Sequence, residues 1–239
     1  MSAGIDLRCE YLRLRELRPA DEDAYCAIYT SPVLTRYLGV DLCSPAKAVT
    51  AFHSALAQRD APRRRRYTLA ITSPGDDTMH GIIGLLVEDY GSNAMVTGLV
   101  IRPGTPVAGY GAQAGRLLMA YGFGPLALHR IWAGHRSDHL RMREVMLEAG
   151  FHPEATLREL FHTAGRWHNV TTYAALNHHW RRTASAAESA ILDGAGASIP
   201  AQRQLVEVAA GQDDGESDAT THAIGTRSPT GPKFAVTSS

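Results

Sequence analysis

Cysteine is scarce in this chain. Cys9, Cys26 and Cys43 are the only three in 239 residues, and none stands in a CxxC pair. Neither a disulfide framework nor a cysteine-based zinc site is therefore encoded. Excess charge is absent as well: 24 Lys and Arg balance 24 Asp and Glu, which removes the bulk electrostatic argument for a nucleic-acid partner. No apolar run reaches membrane-spanning length, and the N-terminus lacks a basic stretch followed by an apolar one. A soluble cytoplasmic protein with no membrane partner is the expectation. The run RRRR over residues 63–66 is a local exception to the charge balance. It is expected in an exposed loop, with phosphate contact as the alternative.

Aromatic residues run out part-way along the chain. Residues 1–180 hold every Trp and Tyr and four of the five Phe, and Phe234 alone follows. A working domain over 1–180 and an Ala/Gly/Ser-rich extension over 181–239 follow from this shift. Within the extension, 184–192 suits a short helix and 203–210 a short strand or helix. Residues 211–232 carry too little apolar surface to build a core and are expected to be mobile or held by a partner.

In the first part, 11–17 alternates apolar and charged residues and reads as a half-buried strand. Acidic residues then open a helix near Asp21, and 44–57 forms a second helix with Ser44 as cap and Pro45 in its first turn. Strands follow over 67–73, 79–90 and 93–103, separated by turn chemistry. Ala114, Leu117, Leu118 and Tyr121 share one apolar helical face, and residues 128–134 suit a strand. A further helix carries Met142, Val145, Met146 and Ala149 and stops at Gly150, and residues 156–177 divide around Gly165 into a hairpin. The order β-α-α-β-β-β-α-β-α-β-β gives an α/β (α+β) class with a mixed central sheet flanked by helices.

One junction stands out for chemistry. Gly109 and Gly111 sit between a strand and the Ala114–Tyr121 helix. Free amides at a helix start carry partial positive charge and can seat a phosphate, although a plain tight turn explains the glycines equally well.

The ordered motifs LRLRELRPAD (12–21), GYGAQAGRLL (109–118), YGFGPLALHR (121–130), AGF (149–151) and GRWHNVTTYAAL (165–176) resemble the GCN5-related N-acetyltransferase (GNAT) superfamily. The likeness is to the branch containing ribosomal-protein N-terminal acetyltransferases, and it covers nearly all of 12–177. The resemblance implies a GNAT fold and acetyl-coenzyme A as donor. It puts the pyrophosphate on backbone amides of Val107, Ala108, Gly109, Tyr110, Gly111 and Ala112. It further implies that the strands near 93–101 and 129–134 splay apart, with backbone groups of Leu99, Val100 and Ile101 holding the pantetheine arm. The chain departs from the branch at Pro106, Val107 and Val96, and His139 and Met142 replace the usual Asn and Ser.

An attacking amine must lose a proton, so a base is sought. His139 and His135 are the first candidates, because they fall near the implied thioester and imidazole titrates near neutrality. Glu88, with Asp89, could bind or deprotonate a cationic amine. Each of these also reads as an ordinary solvated polar residue. Tyr121 reads as core with its hydroxyl bonded locally, and Trp132 and Trp167 as packing residues or walls of an acceptor pocket. His178 and His179, placed at the end of the last strand, would point to opposite faces, and no metal is assigned. The expected acceptor is a primary amine on a small molecule, with a protein N-terminus as a sibling reading. A non-catalytic acyl-coenzyme A-binding module is the alternative of a different class, and homodimerisation stays open.

Overall fold

The computed structural model describes residues 4–38, 44–90, 92–104 and 109–195. An eight-stranded mixed sheet runs through it in the order β1-β2-β3-β4-β5-β6-β8-β7. The strands are β1 (Asp6–Arg8), β2 (Arg13–Glu16), β3 (Arg66–Ser73), β4 (Asp76–Val87), β5 (Asn93–Ile101), β6 (Arg130–Arg136), β7 (His152–Thr163) and β8 (Arg166–Leu176). Every neighbouring pair is antiparallel except β5 and β6. That parallel pair is joined through α4 (Tyr110–Phe123), as a crossover connection requires.

Alternation along the strands sends side chains to two cores. Tyr67, Leu69 and Ile71 of β3 face α4, whose Ala114, Leu117, Leu118 and Tyr121 are fully buried with them. Ala70 and Ile82 face the other way, against Tyr25 and Ile28 of α1 (Glu22–Tyr29) and Phe52 of α3 (Pro45–Gln58). The side chain of Ser44 accepts the Lys47 amide at 3.4 Å, and Pro45 stands in the first turn of α3, as the sequence predicts.

The first family-like motif acquires a physical role. Arg15 makes a two-pronged bond to Asp21 at 2.7 and 2.9 Å with both side chains buried, pinning β2 to the start of α1. α5 (Leu140–Ala149) ends at Gly150, and the β7–β8 hairpin turns at Ala164 and Gly165.

Several expectations change. β1 and α2 (Pro32–Thr35) were not expected, because three and four residues are too short to show a period. His178 and His179 lie not on the last strand but in the single helical turn α6 (Asn177–Trp180), with ring centroids 4.1 Å apart. The arginine run is not a loose loop. Arg64 is buried and bonds Glu16 at 2.6 and 2.9 Å, and Arg65 bonds the Val87 carbonyl and pairs with Asp89. The Tyr121 hydroxyl is buried with no hydrogen-bond partner among the described residues, and the ring packs edge-on against Tyr67 at 5.7 Å. Trp167 is 60% exposed rather than packed, because it faces outward on the hairpin beside the sheet-edge strand β7.

α7 (Ala186–Leu192) lies against α4, where Glu188 accepts two bonds from Arg116 at 2.6 and 2.7 Å. Residues 196–239, including the 203–210 and 211–232 expectations, fall outside the described residues.

Candidate active site

Two local irregularities in β5 build the site. β5 and β6 pair only at Asn93–Arg130, Ala94–Ile131 and Met95–Trp132, and beyond this point the ladder stops. The second irregularity faces β4. Ile82 pairs with Val100 and Gly84 with Thr97, so Gly98 and Leu99 together oppose Ile83. Such a bulge takes backbone groups out of the ladder and bends the strand. Gly98 sits at φ 60°, a left-handed conformation that residues with a side chain rarely adopt.

Where the two strands part, a cleft of about 860 Å³ opens. Its walls include Val96 and Gly98–Ile101 of β5, Ala133, Gly134 and His135 of β6, and His139, Met142 and Val145 of α5 and its cap. Gly109, Tyr110 and Gly111 bring the start of α4 to the same cleft. Gly109 caps that helix at φ 86°, and its carbonyl accepts the Gln113 amide at 3.1 Å. The amides of Tyr110, Gly111 and Ala112 have no partner within the helix and carry its positive dipole end. The Tyr110 side chain is committed elsewhere: its hydroxyl donates to the Tyr11 carbonyl at 3.0 Å and bonds Ser73. Only the Tyr110 backbone is thus available to a ligand. Val107 and Ala108 lie outside the described residues.

The two histidines come together at the cleft, with ring centroids 6.4 Å apart, but their nitrogens are occupied differently. His135 is 8% exposed, and its Nδ1 lies 2.8 Å from the Arg136 carbonyl. A carbonyl only accepts, so Nδ1 carries the hydrogen and Nε2 keeps its lone pair. That Nε2 is buried with no partner among the described residues. Burial lowers the His135 pKa below the ordinary imidazole value, outweighing the raising effects of the Arg136 carbonyl and Asp138.

His139 is the N-cap of α5, and its Nδ1 accepts the Met142 amide at 3.2 Å. Its lone pair is spent on the cap, which is the task an Asn performs at such a position. Its pKa is lowered by burial and next by the neighbouring His135. Tyr37 packs on the His139 ring at 4.0 Å and also lines the cleft. Sequence reasoning missed Tyr37, which follows the short α2 and carries no local signal.

Glu88 is not brought to this cleft. It lies just past β4, beside the paired end of β5 and β6, where its carboxylate accepts the Trp132 indole N–H at 3.1 Å. Trp132 is held by the same bond. Among the described residues no cluster of three His, Cys, Asp or Glu could hold a metal ion, and no helix is long and apolar enough to cross a membrane.

Comparison with known proteins agrees with this geometry. The family described as "Acetyltransferase (GNAT) domain" matches residues 11–152. A Bacillus subtilis protein named as the uncharacterized N-acetyltransferase YnaD is 27% identical over 101 residues, 41% of this chain and 59% of that relative. Among solved structures, Mycobacterium smegmatis RimJ in complex with CoA-disulfide aligns at TM-score 0.64 and 21% identity, covering 80% of this chain and 94% of RimJ. Spermidine N-acetyltransferase from Vibrio cholerae, in complex with CoA and spermine, aligns at TM-score 0.63 and 17% identity, covering 71% of this chain and 98% of that one.

Proposed function

The chain belongs to the GNAT acetyltransferase family, and from that premise we propose that it moves an acetyl group from acetyl-coenzyme A to a primary amine of a small molecule. The observation carrying this reading is the parting of β5 from β6 beyond Met95, next to the Gly98–Leu99 bulge, in a cleft that also receives the start of α4. Those features suit coenzyme A. The free amides at Tyr110–Ala112 favour a pyrophosphate, and along Leu99–Ile101 the edge of β5 that has no β6 partner offers backbone groups to an amide-bearing arm. When bound, acetyl-coenzyme A supplies a thioester carbonyl open to attack.

The protein's part is positioning and proton handling. A held amine and thioester gain chiefly from proximity, so no covalent link to the enzyme is needed. Backbone N–H groups at the bulge would stabilise negative charge growing on the carbonyl oxygen. As the amine nitrogen bonds the thioester carbon, His135 Nε2 takes the amine proton through a water. The carbon–sulfur bond then breaks, and the proton ends on the departing coenzyme A sulfur as its thiol. It suits the task better than His139, because its lone pair is uncommitted and its lowered pKa keeps it neutral near pH 7.

Thiol release on mixing the protein, acetyl-coenzyme A and a panel of primary amines tests the reading. Amine-dependent release with a matching acetylated product is expected. Coenzyme A binding without turnover across the panel would instead make the chain a binding module.

A further inference from the structure

A second cavity, of about 250 Å³, lies on the sheet face that carries α1 and α3. Tyr25, Tyr29, Ser54, Arg66, Thr68 and Thr97 supply its aromatic and polar walls. Register explains the grouping: Thr68 pairs with Gly84 and Gly84 with Thr97, one row across three strands, and Arg66 lies two residues along on the same face. Gly98 lines this cavity and also the cleft between β5 and β6. The two spaces therefore approach the same stretch of bulged backbone from different sides.

The charge of the second cavity is one-sided. None of its lining residues is acidic, and Arg66 is its single cation. In the run of four arginines, Arg64 is bound to Glu16 and Arg65 to Asp89, whereas Arg66 forms no ion pair among the described residues. Its volume lies below the roughly 300–1,000 Å³ of drug-sized sites, which favours a small occupant over an extended peptide. The tilted rings of Tyr25 and Tyr29, 4.9 Å apart, give it an apolar wall.

From this juxtaposition we infer that the second cavity receives the acceptor, and that the acceptor carries a carboxylate which pairs with Arg66 while its amine reaches Gly98. The inference rests on the amine-acetylation reading above and narrows it to a class. A guanidinium holds a carboxylate by charge-assisted, two-pronged hydrogen bonds. A polyamine would set a second positive charge in a cavity lined by Arg66 and by no carboxylate, so this site is unsuited to the chemistry of the spermidine-acetylating structural neighbour.

The test measures binding separately from turnover. The probes are ω-amino carboxylates from glycine to 6-aminohexanoate, their carboxamides, and putrescine, each titrated by calorimetry into the full chain saturated with coenzyme A. At least one carboxylate is expected to bind about tenfold or more tightly than its carboxamide. In Arg66→Gln that discrimination should collapse, and in Arg66→Lys part of it should return. Equal binding of carboxylate and carboxamide, tighter binding of putrescine, no binding of any probe, or discrimination that survives Arg66→Gln overturns the inference. Arg66-dependent carboxylate binding without thiol release when acetyl-coenzyme A replaces coenzyme A would leave a carboxylate-binding site and overturn its assignment as the acceptor site.

Discussion

The ring of His135 stacks on the ring of Tyr173, with centroids 5.1 Å apart and planes within 20° of parallel. Strand pairing sets this contact, since Ala133 of β6 faces Tyr173 of β8 and His135 faces Thr171. The stack and the Arg136 carbonyl together fix the imidazole plane and leave Nε2 as its free nitrogen. Replacing His135 with Gln should lower kcat/KM by about 10²–10⁴-fold while leaving coenzyme A affinity nearly unchanged. Wild-type kcat/KM should be flat at neutral pH and fall along an acid limb below the ordinary histidine value of about 6.5, because burial lowers this pKa. The same shift affects stability in the same direction. Below about 6.5 the unfolded chain takes the proton more readily than the folded one, so stability declines as pH falls through that window. A Gln variant that keeps both rate and acid limb would remove His135 from the chemistry.

His139 is expected to behave as a cap. His139→Asn preserves a side-chain acceptor for the Met142 amide, and turnover within a few-fold of wild type is the expected result. His139→Ala loses the cap and should cost about 1 kcal/mol in a denaturant melt. A hundredfold loss of kcat/KM in the Asn variant would return His139 to the role of base.

Gly109 holds a backbone conformation, not a side-chain gap. At φ 86° a Cβ would meet no atom of the described residues within 4 Å, so the expected penalty for Gly109→Val is backbone strain. That strain is about 1–3 kcal/mol and should turn the Tyr110–Ala112 amides away from their common aim. Coenzyme A should bind about tenfold more weakly by calorimetry, with the circular dichroism spectrum of the fold retained. Unaltered affinity would place the pyrophosphate elsewhere.

Arg116 and Glu188 tie α7 to α4. Burial raises the Glu188 pKa, but Arg116 and the Ser185 amide overcome this and hold the carboxyl below its usual range. This contribution is present at neutral pH and lost as pH falls through the carboxylate range. Glu188→Leu alone should destabilise by about 3 kcal/mol because it strands a partly buried guanidinium, and adding Arg116→Met should restore much of that loss. Additive losses in the double variant would show that the pair is not coupled.

Local chemistry was the legible part of this protein. Ser44 with Pro45, the apolar stripe ending at Tyr121, and the stop at Gly150 are signalled within a few residues of where they act. Of the candidate site, the glycine turn was legible because it is local, and Gly109–Gly111 do reach the cleft. Choosing between His135 and His139 required knowing which nitrogen each had already committed, and that depends on Arg136 and Met142 in folded geometry. Glu88 is tied to Trp132, 44 residues away, by a contact that only the fold creates. The Gly98–Leu99 bulge is a mismatch between two strands, so neither strand's sequence displays it.

Gly98, shared by two cavities, has a kinetic consequence. If donor and acceptor occupy separate spaces that meet only at one residue, neither has to pass the other to enter or leave. No steric rule then fixes which binds first. A carboxylate that lacks the amine, blocking the second cavity, should leave the apparent KM for acetyl-coenzyme A nearly constant while lowering the maximal rate at fixed amine. Desulfo-coenzyme A should act the same way toward the amine, giving crossed noncompetitive patterns from a single shared glycine.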